Sequence, residues 1–323
     1  MCQGDDGTMP TVIFIASESR SGSTVLDLIL GDQEGCVSVG EMRRLQGFAL
    51  QSHKIAGFLD ESYPLTCSCG RYIDDCDFWQ KVEKFSGFSL GNTSFKSQSN
   101  WPWGRLTQGL YLMFGERTVR YLSHWLPGIK KELEVAYNCL RVYEAISQLT
   151  GASYIVDSSK QIYHYILLKI ACSERVKLVV LYRDGRAVAF SQVRGKRAAL
   201  WPRGTESPYA QAARHWAKVN RAIRLFSLRT SSSDQVVVRY EDVCTDPTWK
   251  VGVICSHFGI RAPETITSIN KQGKHIIGGS PSRFDTSRSA IELDEKWKSV
   301  VTARDLIDFE GIGGKLNRQL GYK

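Results

Sequence analysis

A guanidinium beside a run of small hydroxyl residues is the first place where residue type and spacing point to chemistry. Arg20-Ser21-Gly22-Ser23-Thr24 offers a charged fork, hydroxyl donors at Ser21, Ser23 and Thr24, and a glycine that lets backbone approach an oxyanion closely. It follows the apolar run Val12-Ile13-Phe14-Ile15-Ala16 and precedes an apolar stretch, Val25 to Leu30, that reads as helix. Consecutive apolar residues, rather than alternating ones, predict a short strand buried on both faces of a helix-covered parallel sheet. Strand, small-residue turn and helix together make an anion site, because the free first-turn N–H groups and the helix dipole both face the turn. It is not a Walker A loop: Glu18 stands where the first Gly of G-x-x-x-x-G-K-[ST] belongs, and Ser23 replaces the Lys. The plain alternative is an ordinary helix start capped by serine, against which stand the buried strand and Arg20.

Stepping along the chain, further polar groups fall at strand ends. A short strand, Cys36–Val39, leads into Gly40-Glu41-Met42-Arg43-Arg44. That places a carboxylate just past a C-terminal strand edge, where open α/β sheets build their sites. A helix-start glutamate favoured by the dipole is the equal alternative. Tyr154-Ile155-Val156 ends in Asp157-Ser158-Ser159-Lys160, and the following helix carries Ile162, Ile166 and Ile170 on one stripe. Val176–Tyr182 ends in Arg183-Asp184-Gly185-Arg186, whose helix carries Ser191 and the basic run Arg194, Lys196, Arg197. Gln235–Tyr240 ends at Glu241-Asp242, and Asp246-Pro247 starts another helix. Long amphipathic helices are predicted over Ile129–Thr150, stopped by Gly151, and from Ser207-Pro208 with Tyr209, Ala212, Trp216, Val219, Ile223 and Phe226 inward. Near the end, Gly278-Gly279-Ser280-Pro281-Ser282-Arg283 is a flexible turn ending in a guanidinium.

Between about residues 45 and 128 the strand–helix rhythm is lost and aromatics gather: Tyr63, Phe78, Trp79, Phe85, Phe88, Phe95, Trp101, Trp103, Tyr111, Phe114, Tyr121 and Trp125. Most are expected in the core. Trp101-Pro102-Trp103 is the expected exposed acceptor surface, and the polar Leu90–Asn100 reads as a mobile loop. Cys67-Ser68-Cys69-Gly70 and Cys76 invite a zinc reading, but the cluster holds three sulfurs and structural zinc takes four ligands. A thiol cluster or one local disulfide therefore ranks above zinc, and no stoichiometric zinc is expected.

The 323 residues suffice for one large α/β domain or two small ones, and no repeat or linker divides them. A hydrophobic content of 42% with 23% charged residues describes an ordinary globular chain. The apolar runs fall far short of the roughly 20 residues of a membrane helix. The opening residues MCQGDDGTMP show neither a basic nor an apolar leader region, so no signal peptide is expected. A net charge of +9 favours anionic ligands, while no nucleic-acid-binding motif accompanies it. Nine scattered cysteines suit reduced thiols and a cytoplasmic location.

Taken in order, these clusters resemble the sulfotransferases that use 3′-phosphoadenosine-5′-phosphosulfate. Arg20–Thr24 resembles that family's 5′-phosphosulfate loop, and Arg183 followed by Ser191 resembles its 3′-phosphate clamp. Val156–Lys160 is similar to the VDSSK segment of bacterial and carbohydrate-type members. His275–Phe284 with Asp294-Glu295-Lys296-Trp297 resembles their C-terminal GNPxRF…DERW stretch, and Cys67–Trp79 their CSCG…CPFW insertion. The resemblance spans nearly the whole chain. It implies one domain over 1–323 with a P-loop-like α/β fold, a central parallel sheet flanked by helices, and no metal. The aromatic-rich insertion at about 45–128 would shape the acceptor site. Two departures stand out. Ser280 sits where Asn is usual, and the catalytic His of the steroid- and phenol-type enzymes has no counterpart, its slot falling near Ser159. Glu41 matches the G-E that supplies the base in tyrosylprotein-type members.

The resemblance thus implies sulfuryl transfer to an acceptor hydroxyl or amine, of a carbohydrate or small metabolite, with no nucleic-acid partner. Glu41 is the base and Lys160 opposes charge on the leaving phosphate. Arg20, Ser21, Gly22, Ser23, Thr24, Arg183, Ser191 and Arg283 bind the nucleotide. Asp157 is structural, capping the next helix or orienting Lys160, and Arg183 has an ion pair with Asp184 or Glu241 as its weaker alternative. Two rival functions remain: a P-loop small-molecule kinase using ATP and magnesium, and a non-catalytic binder of anionic polymers.

Overall fold

The computed structural model describes residues 9–51, 65–195 and 206–323. Tyr63, Lys196, Arg197 and the first eight residues lie outside them. In chain order the elements are β1 (Thr11–Ser17), α1 (Ser23–Leu30), β2 (Cys36–Gly40), α2 (Leu45–Gln51), α3 (Asp77–Ser86), α4 (Pro102–Leu122), α5 (Pro127–Thr150) and β3 (Tyr154–Lys160). There follow α6 (Ile162–Ala171), β4 (Val176–Tyr182), α7 (Gly185–Arg194), α8 (Pro208–Ser227), β5 (Gln235–Arg239), α9 (Tyr240–Thr245) and α10 (Pro247–Phe258). Short helices α11 (Trp297–Val300), α12 (Ala303–Phe309) and α13 (Lys315–Gln319) close the chain.

All strand pairings are parallel and the sheet order is β2-β3-β1-β4-β5. The apolar run of β1 works as its composition demands. Val12, Phe14 and Ala16 pack into one core with α5 and α6, while Ile13 and Ile15 pack into a second with α1 and α10. Both faces are dry, which gives three layers.

Several expectations are corrected. β3 does not stop at Val156 but runs through Lys160, with an irregularity in its pairing to β1 between Phe14 and Ala16. α6 is buried over its whole length, including His164 and Lys169, so the isoleucine stripe understated its burial. Leu90–Asn100 is tied down: Leu90 and Phe95 are buried, and Ser97 Oγ donates to Gln161 Oε1 at 3.2 Å. The aromatic-rich segment includes helices α3 and α4 without a strand among its described residues, and fewer of its aromatics are core than expected. α4 buries only a narrow stripe of Gly104, Thr107, Tyr111, Gly115 and Val119. Phe85, Phe114, Tyr121 and Trp125 are exposed, as are Trp101 and Trp103, where an exposed surface was expected.

Candidate active site

The strand order lines the polar clusters along one sheet edge. Glu41 follows β2, Lys160 ends β3, Arg20–Thr24 follows β1 and Arg183 follows β4, so residues far apart in sequence become neighbours in that sequence of strands. Arg20 and Lys160 are the only non-glycine residues at positive φ among those described, at 71° and 69°. Held in the left-handed region, each costs of order 1 kcal/mol, and such strain gathers where a side chain or turn must be aimed.

The turn before α1 is built for close approach. Gly22 is the N-cap of α1, at φ 84°, and no side chain caps the helix. Val25 and Leu26 N–H bond the Gly22 carbonyl, so the Ser23 and Thr24 N–H groups are the ones open to an external acceptor. A Cβ on Gly22 would lie 2.1 Å from the Tyr240 ring, so both conformation and space demand glycine there. Ser21, Ser23 and Thr24 are buried, and Thr24 Oγ1 accepts the Ser280 N–H at 3.0 Å. Ser280 Oγ itself accepts from Ser282 N–H at 3.4 Å, a local turn contact.

Arg183 lies on the Tyr240 ring, 4.4 Å from its centroid, on a ring that also meets Gly22. Its Nη1 donates to the Arg20 carbonyl at 2.8 Å, and its Nη2 meets Asp294 Oδ2 at 3.3 Å. Asp184 and Glu241 are spoken for elsewhere: Asp184 pairs with Arg186, and Glu241 accepts from Asp184 N–H and Tyr322. Arg20 Nε donates to Ser191 Oγ at 2.9 Å, so the turn after β1 and the helix after β4 touch through two predicted site residues.

Glu41 Oε1 is ion-paired with Lys160 Nζ and also accepts the Gly279 N–H at 2.9 Å, while Arg44 Nε stands 3.6 Å from Oε2. Glu41 does precede a short 3₁₀ turn, but its side chain caps no N–H there. Burial pushes its pKa up, yet Lys160, Arg44 and the Gly279 N–H together outweigh burial and hold it down at about 2. Gly279 reaches Glu41 because Ile277 joins the end of β2: Glu41 N–H donates to the Ile277 carbonyl at 2.7 Å.

A sulfotransferase family model matches residues 116–264, which include β3, α6, β4, Lys160, Arg183 and Ser191. Over that stretch, a little under half of the chain, the sequence is similar to the sulfotransferase family. No curated protein sequence matches it. Among solved structures, the sulfotransferase domain from the curacin biosynthetic pathway is 20% identical with a TM-score of 0.57, covering 97% of this chain and 98% of that one. The sulfotransferase domain of the Synechococcus PCC 7002 olefin synthase is 21% identical with a TM-score of 0.53, covering 97% and 96%. At these identities the likeness speaks for the fold.

Arg283, expected at the nucleotide, and Asp157, expected as a cap or a Lys160 partner, make other contacts. Arg283 is 1% exposed, stacks on Phe284 at 4.1 Å and points Nη2 at the Thr66 carbonyl at 3.3 Å, bracing the loop from beneath. Asp157 neither caps α6 nor touches Lys160; it accepts from Ser159 N–H at 2.7 Å and from the Tyr143 hydroxyl at 2.5 Å. Sequence reasoning also missed partners: Tyr240, Asp294, the Gly279 N–H and Arg44. All four lay in stretches already singled out, but long-range pairing has no local signature and backbone N–H groups carry no residue-type signal.

The cysteine cluster has a neighbour that the sequence reading did not name. The three sulfurs have a fourth donor, His275, about which the local spacing says nothing. The described cysteines are free thiols. Two surface cavities, of about 440 and 430 Å³, contain none of the site residues.

Asp27, beneath the turn on α1, was not anticipated. Its Oδ2 accepts the Ser38 hydroxyl at 2.5 Å, and Oδ1 has no hydrogen-bond partner. Burial raises its pKa to about 7, against the Ser38 hydrogen bond. The folded chain therefore keeps a proton that the unfolded chain, at an ordinary 3.8, gives up. The resulting stability is fully present below pH 3.8 and is lost as pH rises through about 7. Asn mimics the protonated acid, so Asp27→Asn should flatten this slope. Denaturant titrations at pH 5 and pH 8 should show the variant more stable at pH 8, by on the order of 3 kcal/mol. Equal slopes in the two proteins would show that Asp27 is ionised throughout.

Proposed function

We propose that this protein moves a sulfuryl group from 3′-phosphoadenosine-5′-phosphosulfate to a hydroxyl of a carbohydrate or small metabolite. The observation that carries this reading is the junction of Arg20 with Ser191 and Arg183. It joins a phosphate-type turn to a second cation at the next strand, as a nucleotide with phosphates at both 5′ and 3′ positions requires. In this reading Arg20, Ser21, Gly22, Ser23 and Thr24 take the 5′-phosphosulfate, and Arg183 with Ser191 takes the 3′-phosphate. Asp294 occupies Arg183 with a carboxylate, which the 3′-phosphate displaces.

Transfer needs the acceptor oxygen in line with the bond that breaks, and charge opposed where it builds. The acceptor oxygen bonds to sulfur as the bond from sulfur to the 5′-phosphate oxygen breaks. The hydroxyl proton goes to Glu41, and adenosine 3′,5′-bisphosphate leaves. At a pKa of about 2 Glu41 is a weak base while Lys160 holds it. Lys160 turns from Glu41 to the leaving phosphate oxygen, which opposes the developing charge. Burial, no longer countered by that ammonium, then makes Glu41 more basic. The Ser97–Gln161 contact brings the segment before Trp101 next to Lys160, which supports an acceptor wall formed by the aromatic-rich region.

Calorimetry tests the nucleotide assignment. Adenosine 3′,5′-bisphosphate should bind tightly without added metal, and ATP with magnesium should bind much more weakly for want of a 3′-phosphate. Equal affinities would remove the clamp from the reading and restore the kinase alternative.

A further inference from the structure

Cys67, Cys69, Cys76 and His275 bring one donor atom each to a common point, all within 4.8 Å of one another. His275 Nδ1 lies 3.6 Å from Cys67 Sγ and 3.3 Å from Cys76 Sγ, and Cys69 Sγ lies 3.6 Å from Cys76 Sγ. A tetrahedral zinc with bonds of about 2.3 Å to sulfur and 2.0–2.1 Å to nitrogen spaces its ligand atoms about 3.5–3.8 Å apart. Three of the six separations, at 3.3–3.6 Å, lie close to the edges of that tetrahedron, and the rest are within 4.8 Å. A disulfide would need sulfurs about 2.05 Å apart.

The surroundings prepare the donors. Gly70, at φ 86°, turns the chain so that its N–H bonds the Cys67 carbonyl at 2.9 Å, and the Cys69 N–H is directed at Cys67 sulfur. Cys76 is the N-cap of α3, a ten-residue helix, where the dipole favours a thiolate, and the Trp79 N–H is directed at its sulfur. Phe78 stacks on the His275 ring at 4.7 Å and 6°, fixing the plane of the imidazole. Cys67 and Cys76 are fully buried and Cys69 is exposed, so the cluster has a dry side and an entry side.

We propose that these four residues form a closed structural zinc site. Soft thiolates with one imidazole select zinc among common divalent ions, and four protein ligands leave no open position for catalysis. The site would pin the 274–279 segment to the Cys67–Cys76 segment. Ser68 already bonds that segment on both sides, with Ser68 N–H on the Ile276 carbonyl at 3.1 Å and Ser68 Oγ on the Lys274 carbonyl at 2.6 Å. Two residues further on Ile277 joins Gly40, and Gly279 donates to Glu41. The metal thereby fixes from outside the strand that positions Glu41.

The test reads metal rather than turnover, so its outcome is separate from that of the transfer reading. Full-length protein, purified reduced and passed over a chelating resin, is analysed for zinc. A parallel sample is reconstituted with cobalt for its visible spectrum. About one zinc per chain and intense bands of tetrahedral thiolate-bound cobalt are expected. Cys69→Ser, at the exposed ligand, should weaken zinc retention strongly, His275→Asn should do the same, and His257→Asn should leave it intact. Protein that takes up no zinc even on titration, zinc retained in Cys69→Ser and His275→Asn together, or a Cys69–Cys76 disulfide in the native protein would each overturn the proposal. The cobalt spectrum of the unaltered protein decides the matter should a variant fail to fold.

Discussion

Glu41→Gln is expected to lower turnover by roughly 10²-fold or more while leaving affinity for adenosine 3′,5′-bisphosphate nearly unchanged. The amide keeps the size of the carboxylate and still accepts from Lys160 and the Gly279 N–H, so the two contacts that hold the side chain survive. What it loses is the capacity to take the acceptor's proton. Lys160→Ala carries a different signature. Without the ammonium, burial is countered only by Arg44 and the Gly279 N–H, so the pKa of Glu41 rises from about 2 and the acid limb of the rate profile moves to higher pH. Transfer falls because the leaving phosphate has lost its nearest cation, and nucleotide binding weakens with it. Single-turnover rates with a verified acceptor, measured across pH for both variants, separate the two roles. Near-normal transfer by Glu41→Gln would return Glu41 to a purely structural ion pair with Lys160.

Arg183→Ala should weaken binding of adenosine 3′,5′-bisphosphate about 10- to 100-fold, the loss of one charge-assisted contact worth about 1.5–3 kcal/mol. The structure adds a second route to the same loss, since Arg183 also props the Arg20 carbonyl and lies on Tyr240. Adenosine 5′-phosphate separates them, because it has no 3′-phosphate to lose. If Arg183 grips that group, the variant forfeits most of the discrimination between the two nucleotides. A purely structural Arg183 would weaken both equally. Asp294 also shapes the outcome: its carboxylate meets Arg183 and would compete with an incoming phosphate.

Much of the sheet was legible because a strand buried on both faces leaves an unbroken apolar run. Val12–Ala16 and Val176–Tyr182 identify β1 and β4 within a residue or two. Helix starts were legible where a side chain bonds its own local N–H: Ser207 Oγ accepts from Ala210 N–H, and Asp246 from Trp249 N–H. β3 was cut short because its last residues, Asp157 to Lys160, are polar, and polar residues inside a buried strand contradict the pattern used to find it. They remain in the strand because Asp157 is satisfied by Ser159 N–H and by the Tyr143 hydroxyl from the preceding helix α5.

Residue types and their local spacing therefore determined the turn at Arg20–Thr24, the strand-end positions of Glu41, Lys160 and Arg183, and the family those motifs resemble. Strand order and long-range packing decided which of them meet. The order β2-β3-β1-β4 sets Glu41 beside Lys160, and loop closure over more than a hundred residues carries no local signature in the chain. The same holds for the fourth donor of the cysteine cluster. His275 stands 199 positions beyond Cys76, and the joining of Ile277 to the end of β2, with the Ser68 bonds to Lys274 and Ile276, carries it there. Arg283 shows the reverse limit: a charged side chain marks a place for an anion only if it faces solvent, and burial by neighbouring segments turned this one inward to hold backbone carbonyls.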